Sequence, residues 1–74
     1  MSRYPALIGK DLLLALGKFG FETVRVKGSH HFLKHPDGRK TVIPVHAGES
    51  IGPGLMSSIL RRVQISRADI IGML

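Results

Sequence analysis

The 74-residue sequence contains no cysteine. That excludes disulfides, zinc–thiolate sites and a cysteine nucleophile, and it fits a reducing cytosol. Aromatic residues are scarce, with one tyrosine and three phenylalanines. Phe19 and Phe21 read as core, so a stacking platform for single-stranded bases finds little support. No stretch approaches the ~20 apolar residues of a membrane span. No strongly basic amphipathic helix stands out either, so no membrane partner is expected. In the opening "MSRYPALIGK" the apolar run is broken by Pro5 and Gly9, which leaves it too short for a secretion signal. A cytoplasmic protein is the expectation.

Negative charge is the other scarcity: 5 Asp and Glu stand against 11 Lys and Arg, for a net charge of +6. Such a field favours a polyanionic partner, and nucleic acid is the usual one. Hydrophobic content of 43% argues against disorder. With no linker, repeat or low-complexity tract, residues 1–74 read as a single domain. A core this small leaves a thin stability margin, which a partner or self-association would widen.

From about Ala6 to Phe19 the apolar residues Ile8, Leu12, Leu16 and Phe19 recur at helical spacing, with Gly20 placed for a left-handed helix end. "FETVRVK" (Phe21 to Lys27) reads as a strand with Val24 and Val26 on one face. Gly28-Ser29 is a two-residue hairpin break, and "HHFLKH" (His30 to His35) a second strand. "PDGR" (Pro36 to Arg39) is a turn, built on Asp37 and Gly38. "KTVIPV" (Lys40 to Val45) is a third strand, which Pro44 ends or assigns to an edge. After the loop "HAGESIGPG", Leu55, Met56, Ile59, Leu60 and Val63 form another helical stripe, and Ser66 is placed to cap a short last helix with Asp69 at its third position. Helices on one face of a three-stranded antiparallel sheet make an α+β two-layer domain.

All four histidines, His30, His31, His35 and His46, fall in "HHFLKHPDGRKTVIPVH". As metal ligands they are poorly arranged. Strand alternation puts His31 and His35 on one face and His30 on the other, and closed sites need three or four convergent groups. No metal is expected. As acid–base groups they fit better, because an imidazole of pKa ~6.5 both takes and gives protons near neutrality. RNA cleavage needs a base for the 2′-hydroxyl and an acid for the leaving 5′-oxygen, and neither a protein nucleophile nor a metal. The alternative reading of the residues alone is exposed strand histidines without chemistry. Lys27, Lys34, Arg39 and Lys40 flank the two turns and read either as a phosphate-holding rim or as solvated charges. Recognition by backbone charge and helix shape is the expected mode. The loop "GESIGPG" offers a helix N-terminus for a phosphate but lacks the lysine of a phosphate loop.

The ordered set Gly20-Phe21, Gly28-Ser29-His30, His35-Pro36-Asp37-Gly38, Ile43-Pro44-Val45-His46, Gly52-Pro53-Gly54 and Ile59-Leu60-Arg61 closely resembles the HicA-type (YcfA-like) toxins of bacterial toxin–antitoxin systems, from about Gly9 onward. The resemblance implies a double-stranded-RNA-binding-domain-like α-β-β-β-α fold. It also implies an mRNA interferase, a metal-independent ribonuclease that cleaves mRNA and arrests translation and growth, with no cofactor. His30 matches the family's catalytic histidine. The implied partners are mRNA and a HicB-type antitoxin, the latter in a hetero-oligomer. His46 and Lys34 are candidates for a second proton-transfer group. Lys27, Ser29, Lys34, Arg39 and Lys40 are candidates for holding RNA, and Gly28 for the turn that orients His30. The chain departs from the family at Pro53-Gly54-Leu55, where a threonine usually follows the glycine, and in the extra "RYPAL" near its start. The alternative function is a non-catalytic double-stranded-RNA-binding module of the same fold.

Overall fold

The computed structural model describes residues 6–74; the reading made for Met1 to Pro5 lies outside them. The chain runs α1 (Gly9–Lys18), β1 (Glu22–Lys27), β2 (His30–Lys34), β3 (Lys40–Pro44), α2 (Pro53–Val63) and α3 (Arg67–Gly72). The strands form one antiparallel sheet in the order β1-β2-β3. This is the expected α+β domain with a short third helix appended.

Local chemistry sets the element ends. The Asp11 carboxylate accepts the Ile8 backbone N–H at 3.3 Å, so α1 starts at Gly9 rather than at Ala6. Its far end closes as a Schellman motif: Phe21 N–H donates to the Leu16 carbonyl at 3.0 Å and Gly20 N–H to that of Gly17 at 3.1 Å. Gly20 has φ +98°, and a Cβ there would meet the His35 imidazole Nε2 at 2.9 Å. Only glycine satisfies both the dihedral and the close approach. Proline ends β3 at the sheet edge, as a residue without a ladder donor should. Ser66 caps α3 by accepting the Asp69 N–H at 3.1 Å.

The helices cover one face of the sheet. Leu12, Ala15 and Leu16 of α1, Met56, Ile59 and Val63 of α2, and Ile70 of α3 form one cluster with Phe21, Leu33 of β2 and Ile43 of β3. The other face has no layer above it among the described residues. One expectation fails: Val24 and Val26 do not share a face. Thr23 pairs with Leu33 and Arg25 with Phe32, so Val24 is an extra, bulged residue, while Val26 pairs with the inward-side His31. Both valines stay exposed, at 61% and 55%. Among the described residues, no helix is long and apolar enough to cross a membrane.

Thr41 is the buried polar residue of this core, 3% exposed, and its hydroxyl has no hydrogen-bond partner among the described residues. An unpaired buried hydroxyl costs about 1–3 kcal/mol. Thr41→Val keeps the shape and removes that cost, so it should stabilise the fold by about 1 kcal/mol, roughly 5 °C in Tm. A lowered Tm in a thermal melt would show that the hydroxyl is satisfied in solution.

Candidate functional site

Because Leu33 points into the core, its neighbours His30, Phe32 and Lys34 on β2 point to the open face. The register builds three rungs there. Lys27 and Pro44 flank His30, Arg25 and Val42 flank Phe32, and Glu22 and Lys40 flank Lys34. Successive rungs lie two residues apart, about 6.6 Å along the strand.

The first rung holds the expected catalytic histidine. His30 is exposed and follows the Gly28-Ser29 loop, in which Gly28 takes φ +59°. A two-residue loop with glycine first matches the twist of the hairpin, and it brings Lys27 directly opposite His30. Cross-strand partners hold their Cβ atoms about 5 Å apart, so Lys27 is the basic residue paired with this histidine. The Ser29 carbonyl accepts the Val45 N–H at 2.7 Å. That bond draws the start of the His46 loop to the same end of the sheet, where His46 is exposed. Lys34 is not brought to His30. It lies four residues along the same strand, about 13 Å away, beside Lys40. His31 pairs with Ile43 on the helix side. Among the described residues, no three His, Asp or Glu side chains converge.

Three residues of the "HPDGR" turn are engaged by the fold. His35 Nε2 lies 3.0 Å from the Phe19 carbonyl, and its Nδ1 lies 3.1 Å from the Asp37 N–H. The Phe19 carbonyl can only accept, so Nε2 is its donor, and Nδ1 also lies 3.0 Å from the Asp37 carboxylate. The ring also meets Phe21 edge-on, centroids 5.0 Å apart. Arg39, expected in the rim, turns the other way. Its Nε donates to the Asp37 carboxylate at 2.8 Å, its Nη1 to the Val63 carbonyl at the end of α2, and its guanidinium sits 5.2 Å from the centre of the Phe21 ring. Gly38, at φ +100°, closes the turn. The Arg39 backbone N–H, 3.0 Å from Asp37 Oδ1, is the main reason the Asp37 carboxyl is held below its usual range, helped by the guanidinium and opposed by desolvation. At the other candidate anion site, α2 begins at Pro53, which has no N–H to offer a phosphate.

Other residues of the open face went unread in the sequence. Phe32 is half-buried there, with the Arg25 guanidinium 5.8 Å from its ring centre. Its parity with His30 was the available signal. Val24, Phe32, Lys34, Lys40, Val42 and Arg62 line a hollow of about 320 Å³. Nothing local marks Arg62 or the bulged Val24 for this place, since one depends on how α2 packs and the other on the partner strand.

A family model described as "HicA toxin of bacterial toxin-antitoxin" matches residues 9–65. No curated protein matches the chain. The chain therefore belongs to the HicA toxin family, which brings the role of toxin and an antitoxin partner with it.

The lowered Asp37 pKa gives a signed pH dependence. A depressed carboxyl pKa contributes stability that is complete above the unfolded value of about 3.9 and is lost as pH falls through the lower folded value. Denaturant melts at about pH 5 and about pH 3 should show a smaller acid loss for Asp37→Asn than for wild type. Equal losses would mean that the Arg39 contacts do not perturb Asp37.

Proposed function

We propose that this member of the HicA toxin family is an endoribonuclease that cleaves mRNA with His30 as the proton-transfer residue, and so arrests translation and growth. The observation that carries the reading is the first rung. The histidine of Gly28-Ser29-His30 stands exposed on an uncovered sheet face, with Lys27 paired opposite it across the hairpin.

The chemistry follows from what that rung offers. His30 takes the proton of the 2′-hydroxyl as the 2′-oxygen attacks phosphorus. The new 2′-O–P bond forms, the P–O5′ bond breaks, and the 5′-oxygen must receive a proton. The products are a 2′,3′-cyclic phosphate and a 5′-hydroxyl. One imidazole in its basic form cannot deliver that second proton in the same step, so another group is required. His46, at the same end of the sheet, is our assignment. Lys27 stabilises the charge that builds on phosphorus, while Lys34 and Lys40 hold the backbone further along and Ser29 lies beside the scissile group. Arg39 supports this face through the turn rather than by reaching RNA. No step needs a cofactor. The antitoxin of this reading is HicB-type, acts in the cytoplasm and inhibits by covering the His30 face in a hetero-oligomer.

His30→Ala should lower the cleavage rate of unstructured RNA by about 10²–10⁴, abolish growth arrest, and leave the melting temperature and RNA affinity near wild type. Undiminished cleavage would remove His30 from the reaction. A wild-type chain that binds RNA and never cuts it would favour the binding-module reading. For the rim, Lys27→Ala should reduce the slope of log affinity against log salt by about 0.7 on single-stranded RNA. An unchanged slope would show that Lys27 touches no phosphate.

A further inference from the structure

The hollow one rung beyond His30 has no part in the proton chemistry, yet its composition is unusual for this surface. Phe32, Val42 and Val24 line it together with the cations Lys34, Lys40 and Arg62, and the buried Leu33 and Thr41 border it. Arg25 is not among its lining residues, and its guanidinium lies over the Phe32 ring, 5.8 Å from the centre. Apolar, partly aromatic ground ringed by cations suits a planar base attached to phosphates. A purely apolar partner would leave the three cations unmatched.

We propose that this hollow is a nucleobase subsite, which takes an unstacked base of single-stranded RNA beside the scissile phosphate and contributes to sequence selection. This rests on the RNA-cleaving reading. The spacing supports it: Phe32 is two residues from His30 on the same face, about 6.6 Å, close to one extended nucleotide. The phosphate at the His30–Lys27 rung and the base over Phe32 therefore belong to neighbouring positions of one strand. Lys34 and Lys40, paired across β2 and β3, then meet the next phosphate. Phe32 acts here as a binding residue, and Arg25 as a positioning residue that holds the ring.

The test uses 2′-O-methyl RNA, which the wild-type chain binds but cannot cleave because the attacking hydroxyl is blocked. Affinities are measured by fluorescence anisotropy for an intact oligonucleotide and for a series with one abasic position each. The expectation is that one abasic position weakens wild-type binding about tenfold. Phe32→Ala should lose the same factor and become insensitive to that position. Phe32→Leu, which keeps apolar bulk and protects the fold, should behave like the alanine variant, whereas Phe32→Tyr should retain base sensitivity. If every abasic position costs less than about twofold, or if the two losses multiply, the subsite is overturned. The same follows if the Phe32 variants keep full RNA affinity and lose binding to a purified HicB-type antitoxin, because the hollow would then belong to the protein partner. Cleavage of unmodified RNA is assayed in parallel. Cleavage without base sensitivity sinks only the subsite, whereas base-sensitive binding without cleavage sinks only the enzymatic reading.

Discussion

Leu33 and Ile43, buried on adjacent strands beneath the helices, fix the direction of every other side chain on the central strand. A strand alternates with period two, so a register slip of one residue would exchange the two faces completely. His30, Phe32 and Lys34 would then enter the core, and His31 and Leu33 would face solvent. Burying Leu33 contributes about 2 kcal/mol, and the same contact that stabilises the fold exposes the imidazole. The open face follows from the core, which makes the positions of Lys27, Arg25, Val42 and Lys40 consequences of register.

The turn between β2 and β3 performs a second division of labour. His35 fastens the end of α1 through the Phe19 carbonyl, and Arg39 fastens the end of α2 through the Val63 carbonyl, with Asp37 between them. A basic, histidine-containing turn thus joins the two helices beneath the sheet. In a chain of 74 residues, whose core alone is small, such cross-braces between distant segments matter more than they would in a larger domain.

The order of elements was legible because each has a local cause: apolar residues at helical spacing, Gly28-Ser29 and Asp37-Gly38 in the turns, Ser66 before the last helix. The opposition of His30 and His31 was legible too, from alternation alone. What stayed hidden depended on partners remote in sequence. The bulge at Val24 arises because β1 holds one more residue than β2 has positions to pair. Arg39 looked like a rim cation because its acceptor at Val63 lies 24 residues away. Phe32 is one aromatic among few, and only its parity with His30 marks it for the open face. Lys34 shares a face with His30 yet lies about 13 Å along the strand from it.

Histidines that sit together in the sequence have unlike places in the fold: His35 holds the turn, whereas the proposed task of His30 is to meet RNA. Histidine ring NMR signals, followed while a 2′-O-methyl RNA is added to the wild-type chain, test that assignment directly. The His30 ring signals should move in proportion to bound RNA while those of His31 and His35 stay in place. Movement of His35 with His30 unchanged would contradict it.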